Sequence, residues 1–549
     1  MNRSPSFPCD STCRCFSDSR NKQIVSPKRR EKTAIRTYYV SLKRESLSEY
    51  GVFPQKKLEK RRFACYIIII EKSRPSWNAE KTQLKKEQEE QRTQPYLVRL
   101  VSLGCPKNTV DTGVAAGALL MDGFGLTADD DEADIIWINT CAFLLSARKE
   151  AMEEIRRACT WKKRRPGRIV VVAGCLPQWD KDGTVRAKYP LVDAWEGIDA
   201  PAEIGSVLKR LTANKSLPER KNGKPCSWIY DETTPRLTVE SEHFAYLKIA
   251  DGCCNCCSYC LIPSIRGALR SRTVKSVVTE AKSLVSLGYR ELILIAQDTG
   301  AFGRDRTGGA SELPELLAAL DQLPGDFRIR LMYVHPASVD DAMIRAFKQC
   351  RRLIPHIEMP VQHVSGPVMT AMNRHITAER QSEVIRKIRE AGFTIRTTLM
   401  TGFPGETEED FQLLLDAVKS RVFSRIGVFA FSPEDGTPAA AMKGRVPAKT
   451  AAARAARIAA EQERISRETN RALTGQTLEI ILDEDAGRGR WRGRMLMDAP
   501  DIDQTVHVSK CPAGLTAGMV VPVTITRTAA YDLYGTYEPE GRKPGGKDK

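Results

Sequence analysis

Apolar runs and helical stretches alternate along the chain from Tyr96 onwards. The runs YLVRLVSLG, DIIWINT and RIVVVAG have the pattern of strands, and the segments LSARKEAMEEIRRA and DAPAEIGSVLKRLTA have that of helices. Alternation of this kind predicts a parallel sheet covered by helices. The polar, proline-containing stretch KSLPERKNGKPCSWIYDETTPR that follows predicts a linker.

From Phe244 the alternation resumes with a longer period. It predicts six strands, each followed by a crossover: FAYLKIA, ELILIAQ, FRIRLMYV, HIEMPVQ, TIRTTLM and RIGVFAF. Six such units favour a barrel or an open part-barrel. After a helix rich in alanine and arginine, the short runs TLEIILDE, GRMLMDA, QTVHVSK and MVVPVTITR predict a small antiparallel β barrel or sandwich.

Residues 1–95 have a different composition, rich in Ser, Lys, Arg and Gln with few periodic apolar positions. They predict a disordered extension, with a targeting or nucleic-acid arm as the alternative. The predicted division of the chain is an extension at 1–95, a parallel α/β domain at 96–215, a linker at 216–240, a part-barrel domain at 241–474, a β domain at 475–540 and a tail at 541–549.

Most of the basic excess lies in that extension. The formal net charge of the 549 residues is +17, and residues 1–95 hold 22 Lys and Arg against 11 Asp and Glu. The positive charge is therefore weak evidence that the folded part binds nucleic acid. No apolar run approaches the ~20 residues of a membrane span, and the N-terminus lacks the apolar core of a signal peptide. We therefore expect a soluble, cytoplasmic protein with no membrane partner, whose 16 cysteines are mostly reduced thiols.

The segment GCCNCCSYC follows the first predicted barrel strand directly. Within it, Cys253, Cys257 and Cys260 form a Cys-x3-Cys-x2-Cys pattern, in which three thiolates can converge on one iron–sulfur cubane. Three ligands leave the fourth iron open to another molecule. A zinc knot is the alternative, but no second cysteine pair or histidine stands at zinc spacing. Cys254 and Cys256 also allow a competing set, Cys253, Cys256 and Cys260.

Three further cysteines each stand just past a predicted parallel strand: Cys105 in VRLVSLGCPKN, Cys141 in IIWINTCAF and Cys175 in IVVVAGCLPQ. The carboxyl ends of parallel strands meet at one edge of the sheet, where α/β proteins place their sites. These thiols can therefore ligate a second cluster, again with an open iron. The alternative is that each is a small buried hydrophobe, as free cysteine often is.

The first cysteine motif, with Tyr259 before its last cysteine, resembles the radical S-adenosylmethionine (SAM) superfamily. Together with SLGCPKN, NTCAF, AGCLPQ, IPSIRG, MPVQHVSGPV and TGFPGETEEDF, it resembles the radical SAM methylthiotransferases over residues 96–537. The resemblance implies an α/β protein in which an N-terminal cluster domain, a radical SAM (β/α)6 part-barrel and a small antiparallel TRAM-type β domain follow one another.

The resemblance also implies a transferase with two 4Fe–4S clusters and SAM. Cys253, Cys257 and Cys260 would hold the catalytic cluster, whose open iron chelates SAM, and Cys105, Cys141 and Cys175 the second. A radical made from SAM would abstract hydrogen, the second cluster would supply or carry sulfur, and a second SAM would give the methyl group. A reductant such as flavodoxin or ferredoxin would be needed.

The SAM pocket is less sharply marked. Gln297 and Asp298 end the second predicted barrel strand, where polar groups could reach the ribose or methionine part of SAM. Gly402, Pro404 and Gly405 end the fifth, where a glycine-rich turn lets the backbone approach adenine. Together with Tyr259, these are the predicted SAM-binding residues. The glycines could also form a plain strand–helix turn, and His363 could contact the cofactor or cap a turn.

Two branches of the family differ in substrate. One modifies the β-carbon of an aspartate in protein twelve of the small ribosomal subunit, and the other modifies an adenosine in transfer RNA. Residues 475–538 hold six Lys and Arg against nine Asp and Glu, which suits a basic protein and argues against direct nucleic-acid binding. The segments DAPDID, YDLYG and SIRGALRSR also resemble the protein-modifying branch, so the ribosomal protein is the predicted substrate.

DAPDID carries a more specific expectation. Asp498, Asp501 and Asp503 should attract the basic protein at long range. An iron–sulfur scaffold or electron carrier without catalytic activity remains the weaker alternative to an enzyme.

Overall fold

The computed structural model describes residues 67–68, 95–199, 201–217 and 226–539. Ile67–Ile68 forms a two-residue strand that pairs antiparallel with Arg236–Leu237. Residues 1–66 and 69–94 of the predicted extension, residues 218–225 of the predicted linker and the tail at 541–549 lie outside the described residues. Among the helices of the described residues, none combines the length and apolar character that crossing a bilayer requires.

A five-stranded parallel sheet forms the first unit. Its strand order is β2-β1-β3-β4-β5. The strands are β1 (Leu97–Ser102), β2 (Gly125–Leu126), β3 (Ile135–Thr140), β4 (Ile169–Gly174) and β5 (Ala194–Glu196). The helices are α1 (Pro106–Met121), α2 (Leu145–Lys163), α3 (Cys175–Trp179) and α4 (Ile204–Thr212). Every residue of β3 and β4 is buried, because helices cover both faces of the sheet.

An open six-stranded parallel sheet forms the second unit, with the strand order β11-β10-β9-β8-β7-β6. The strands are β6 (Phe244–Lys248), β7 (Glu291–Ile295), β8 (Arg328–Leu331), β9 (Leu353–Glu358), β10 (Thr394–Thr401) and β11 (Arg425–Ala430). The helices are α5 (Ile262–Arg266), α6 (Val274–Ser286), α7 (Leu313–Asp321), α8 (Asp341–Gln349), α9 (Ala378–Glu390), α10 (Glu408–Lys419) and α11 (Ala448–Arg471), with helical turns at Arg304–Thr307 and Gly366–Ala371. All six predicted strands are present.

Alternate residues of β6 and β7 face two different cores. Ala245 and Leu292 belong to the large core beneath the outer helices. Phe244 and Ile293 instead pack on the opposite face against Val110 of α1. Because strand side chains alternate between faces, α1 of the first unit lies against the inner face of the part-barrel.

Two glycines of α1 let this helix approach the chain closely. A Cβ atom at Gly113 would lie 2.4 Å from the carbonyl oxygen of Leu237. A Cβ atom at Gly117 would lie 2.6 Å from the carbonyl carbon of Pro235. Both distances are far below van der Waals contact, so the side of α1 that carries these glycines is in direct contact with the backbone at 235–237.

A closed five-stranded barrel forms the third unit, with the order β12-β13-β14-β16-β15. The strands are β12 (Thr477–Gly487), β13 (Arg490–Met495), β14 (Thr505–Ser509), β15 (Val520–Thr528) and β16 (Asp532–Tyr537). β16, which contains the DLYG part of YDLYG, was not among the predicted strands. It pairs parallel with β14, so this barrel is antiparallel except for one strand pair.

Candidate functional site

The motif Cys-x3-Cys-x2-Cys lies on a loop that follows β6. Cys257 is buried, and Cys253 and Cys260 are half-buried. Burial, with smaller contributions from Asp298 and from the thiols of Cys260 and Cys257, raises the pKa of Cys253 to about 12. The backbone N–H of Cys260 donates to the carbonyl oxygen of Cys257 over 3.0 Å, which closes a turn. The three predicted ligands are therefore neighbours on one ordered loop.

The segment at 371–374 fixes the shape of this loop. The backbone N–H of Ser258 donates to the carbonyl oxygen of Met372 over 3.0 Å. The hydroxyl of Ser258 donates to the carbonyl oxygen of Ala371, and the side-chain amide of Asn373 donates to that of Cys256. These contacts join the cysteine loop to the segment at 371–373.

The other three cysteines lie together at the carboxyl ends of β1, β3 and β4. Cys105 precedes α1 and is exposed, Cys141 follows β3, and Cys175 begins α3. A Cβ atom at Gly104 would lie 3.1 Å from Sγ of Cys141, so the chain beside Cys105 approaches Cys141 closely. Burial raises the pKa of Cys175 to about 12, and the thiols of Cys141 and Cys105 contribute in the same direction.

Both sets are chemically suited to iron–sulfur cubanes. Within the described residues, no three His, Cys, Asp or Glu side chains converge closely enough to hold a single metal ion. The thiolates of a cubane bind different irons and are spaced more widely than the ligands of one ion. Three cysteine thiols on one ordered loop, or at one sheet edge, supply the sulfur donors that such a cluster needs.

A buried ionic network links the two sets of cysteines. The Arg266 guanidinium, at the end of α5, donates to Asp111 over 2.8 Å and to Asp251 over 3.0 Å. Lys248 pairs with the same two carboxylates, so two cations balance two anions. The Arg266 guanidinium also donates to Sγ of Cys175 over 3.5 Å. A residue six positions after Cys260 therefore contacts the other cysteine set.

A second buried arginine contacts the motif loop itself. The guanidinium of Arg374 donates to Sγ of Cys257 over 3.5 Å and to the hydroxyl oxygen of Tyr259 over 3.1 Å. Sequence reasoning identified neither this arginine nor Arg266 as a functional residue, although Arg266 lies within IPSIRG. Arg374 is 117 residues from Cys257 in sequence, and only the fold brings the two together.

Gln297 and Asp298 lie where they were predicted, beyond the end of β7. Their side chains differ in whether they have an oxygen without a hydrogen-bond partner in the described residues. Both oxygens of the buried Asp298 carboxylate accept hydrogen bonds: Oδ1 from the N–H groups of Gly300 and His335, and Oδ2 from Asn255 and Ser338. The Asp298 carboxylate therefore joins the cysteine loop, through Asn255, to the loop at 335–338. Nε2 of Gln297 donates to Asp251, while its buried Oε1 has no partner in the described residues.

His335 presents a second unsatisfied group at the same rim. Its Nδ1 accepts the N–H of Ala337 over 3.1 Å, which places the proton of the neutral ring on Nε2. This buried Nε2 has no partner in the described part of the chain. Burial lowers the pKa of His335 well below its ordinary value, so the ring stays neutral. An acceptor and a donor are therefore available to a polar ligand such as SAM, and sequence reasoning did not identify His335.

The turn after β10 has a packing role. A Cβ atom at Gly402 would lie 2.1 Å from Cβ of Ala451, so this glycine lets α11 approach the strand end. Pro404 is buried, and Gly405 is exposed with nothing within 4 Å of an added Cβ. His363 is buried, and its Nδ1 accepts the N–H of Ser365, as in the turn-capping alternative. The SAM contacts of Gly402, Pro404 and Gly405 stay a prediction.

The acidic segment DAPDID does not match its expected role. Asp498 is fully buried and pairs with Arg425 of β11 at 2.9 Å. Asp503 pairs with Arg396 of β10 at 3.0 Å. Only Asp501 is exposed. The expectation that all three aspartates attract a substrate was wrong, because Asp498 and Asp503 form ion pairs that join the third unit to the part-barrel.

Comparison with known proteins matches each unit of the chain. Family models match in chain order: "Uncharacterized protein family UPF0004" at residues 97–197, the radical SAM superfamily at residues 247–418 and the TRAM domain at residues 474–537. Among solved structures, the radical SAM methyltransferase TsrM from Kitasatospora setae is 14% identical, with a TM-score of 0.48, over 63% of this chain and 77% of that one. The radical SAM family match and the cysteine loop define a radical SAM enzyme, which uses SAM and 4Fe–4S clusters.

The curated relatives are more specific. A protein of Geobacter sulfurreducens is 39% identical over 444 residues, which cover 80% of this chain and 98% of the relative. A protein of Desulfitobacterium hafniense is 38% identical over 440 residues, with the same coverage of both chains. Both are named ribosomal protein uS12 methylthiotransferase RimO. This chain belongs to that family of radical SAM methylthiotransferases, and it is a transferase.

Proposed function

We propose that this chain inserts sulfur and a methyl group at the β-carbon of an aspartate in ribosomal protein uS12. The observation that carries the proposal is the similarity to the Geobacter sulfurreducens relative, whose name states uS12 and whose length is matched to 98%. The two three-cysteine sets support it, because sulfur insertion requires one site that generates a radical and another that delivers sulfur.

The proposed ligands are Cys253, Cys257 and Cys260 for the cluster that binds SAM, and Cys105, Cys141 and Cys175 for the second cluster. When bound, these groups supply one-electron reduction, SAM cleavage and sulfur. The residues of the chain set the positions of the two cysteine sets. Arg266 binds both sheet units through Asp111 and Asp251, and thereby fixes the position of one cysteine set relative to the other. Gln297 and His335 offer SAM an acceptor and a donor.

The burial of these groups also excludes water from the site. Lys248 is fully buried, and Asp111, Asp251 and Arg266 are each at most 5% exposed. A reactive radical needs such a site, because exclusion of solvent prevents side reactions. The proposal further includes a cytoplasmic location, a reductant of the flavodoxin or ferredoxin class, and a protein substrate rather than nucleic acid.

Iron analysis of cysteine variants tests the assignment. The anaerobically reconstituted chain should hold about eight irons, from two cubanes. Changing Cys253, Cys257 and Cys260 to Ala should leave about four and abolish SAM cleavage. Changing Cys105, Cys141 and Cys175 to Ala should also leave about four, while SAM cleavage persists and uS12 stays unmodified.

A matched control changes three buried cysteines elsewhere, Cys159, Cys350 and Cys511, to Ala. This variant should keep about eight irons. Full iron content in either functional variant would refute its ligand set. Mass spectrometry of uS12 and of transfer RNA from cells lacking the protein identifies the substrate: a missing methylthio group on transfer RNA alone would refute the proposed function.

A further inference from the structure

Arg374 is a buried cation beside the cysteine motif. It is 3% exposed. One terminal nitrogen donates to Sγ of Cys257 and to the Tyr259 hydroxyl oxygen, and the other donates to the carbonyl oxygen of Pro360 over 2.5 Å. Its Nε is buried with no partner in the described residues.

No carboxylate of the described residues forms an ion pair with Arg374. Other buried arginines do have such partners, for example Arg330 with Glu291 and Arg272 with Glu280. A buried charge without a counter-ion is costly, so proteins pair it or place it beside a group of opposite charge. Among the described residues, the thiol of Cys257 is the group in direct contact with Arg374 that becomes anionic at neutral pH on metal binding.

The two other polar neighbours do not neutralise this charge. The Tyr259 hydroxyl is a neutral phenol near pH 7. An arginine guanidinium stays protonated in proteins at any physiological pH. The guanidinium therefore remains positive, and the carbonyl of Pro360 carries only a dipole.

We propose that Arg374 is the resident counter-ion of the radical SAM cluster and a positioning residue that raises its reduction potential. This inference rests on the proposed function, since it assumes that Cys253, Cys257 and Cys260 hold that cluster. Three thiolates around a doubly positive cubane leave one net negative charge, which one guanidinium balances. The reductant gives one electron to the cluster and is itself oxidised. The added negative charge is stabilised by the same cation.

Arg266 provides an internal comparison. It also donates to a cysteine sulfur over 3.5 Å, that of Cys175. Its charge, however, is balanced with that of Lys248 by Asp111 and Asp251. The N-terminal cluster therefore faces an arginine that already has counter-ions, and its potential should depend less on that residue than the radical SAM cluster depends on Arg374.

The test uses the full chain with Cys105, Cys141 and Cys175 changed to Ala, so that one cluster remains. Arg374→Gln removes the charge and keeps donor groups, while Arg374→Lys keeps the charge. The loop contacts of Ser258 and Asn373 remain in both variants, so about four irons should be retained. The readout is the midpoint potential, from a redox titration followed by electron paramagnetic resonance.

Arg374→Gln should make the cluster harder to reduce by about tenfold in its reduction equilibrium, the size of one charge-assisted hydrogen bond. Arg374→Lys should show a smaller shift. The control is His375→Asn. His375 is an exposed neighbour of Arg374 with φ 52°, a conformation that asparagine tolerates. The midpoint potential of the cluster in this variant should equal that of the parent.

An unchanged potential in an iron-replete Arg374→Gln variant would overturn the inference. If Arg374→Gln binds no iron, Arg374→Lys decides: restored iron supports the role of the charge, and loss of iron in both variants overturns it in favour of packing. Failure of the proposed function is separate, because uS12 could remain unmodified while the potentials shift as expected.

Discussion

At the scale of single residues, the motif loop separates its five cysteines into two groups. Cys253, Cys257 and Cys260 are buried or half-buried, whereas Cys254 and Cys256 are exposed. Sγ of Cys254 accepts the N–H of Leu269 over 3.5 Å, on the outside of the loop. Cys256 has φ 49°, a conformation that cysteine rarely adopts. These two thiols therefore differ in environment from the proposed ligands.

We expect Cys254→Ala and Cys256→Asn to keep both clusters and SAM cleavage, because neither thiol belongs to the proposed set. Asparagine suits the left-handed backbone at position 256 better than alanine does. Iron content and formation of 5′-deoxyadenosine are the measurements, with Cys257→Ala as the matched loss-of-cluster variant. Loss of one cluster in the Cys256 variant would favour the competing ligand set with Cys253 and Cys260.

The sequence allowed the positions of the cysteines after the strands to be predicted, but not their arginine partners. The cysteines stand in local motifs after strongly apolar strands, and both signals can be read without the fold. Arg266 and Arg374 are 91 and 117 residues from the sulfur atoms that they contact. The charge count of the DAPDID region failed for the same reason, because it could not include Arg396 and Arg425 on distant strands.

At the scale of elements, the six part-barrel strands were predictable because each is an apolar run followed by a crossover. The missed elements lack that signal. β2 and β5 are edge strands of two and three residues, too short for a periodic pattern. β16 has the sequence DLYGTY, in which polar residues and a glycine obscure alternation, and its parallel pairing depends on barrel closure.

The turn after β10 gives a prediction at this scale. Gly402 and Gly405 both have positive φ, 75° and 85°, so alanine at either costs about 1–2 kcal/mol in backbone strain. Only at Gly402 does the new Cβ also overlap Ala451 of α11, at 2.1 Å. Overpacking should therefore cost Gly402→Ala about a further 1–3 kcal/mol in the free energy of unfolding. Its thermal midpoint should be clearly lower than that of Gly405→Ala.

Thermal unfolding of the two single variants, followed by circular dichroism, makes the comparison. The double variant Gly402→Ala with Ala451→Gly removes the overlapping Cβ and should recover part of the loss. Equal midpoints for the two single variants would show that α11 can move away from the strand, and that Gly402 serves another purpose.

At the scale of the whole molecule, the TRAM barrel is joined to the part-barrel by buried ion pairs. Glu291 at the start of β7 accepts from Arg494 of β13 over 2.7 Å. Arg425 and Arg396 pair with Asp498 and Asp503, as described above. Forming such a pair requires both charges to be desolvated, but removing one partner strongly destabilises the protein because it leaves the other charge buried and unpaired. The position of the TRAM domain is therefore specified by charge pairing across this interface.

The pH dependence of this interface follows from Asp498. Burial raises the pKa of Asp498 from 3.8 to about 6, although Arg425 opposes the shift. Between these two pKa values the folded state binds more protons than the unfolded state. The contribution of Asp498 to stability is therefore lost as the pH rises from about 4 to about 6.

Asp498→Asn cannot ionise, so its thermal midpoint should fall less than that of the parent chain over the same pH range. Arg425→Ala should be destabilised at pH 7 by about 3 kcal/mol or more, because it leaves a buried carboxylate without its partner. Thermal unfolding at closely spaced pH values measures both effects. Parallel pH profiles for the parent and Asp498→Asn would contradict the assignment.

The glycine-lined contact of α1 with residues 235–237 has a consequence for recombination within the family. A helix and a connecting segment that touch backbone to backbone leave no side chains to adjust, so each must suit the other's path. A recombination point between α1 and position 235 would combine α1 from one family member with residues 235–237 from another. Chimeras that exchange residues 96–240 as one block should assemble more readily than chimeras cut between α1 and position 235.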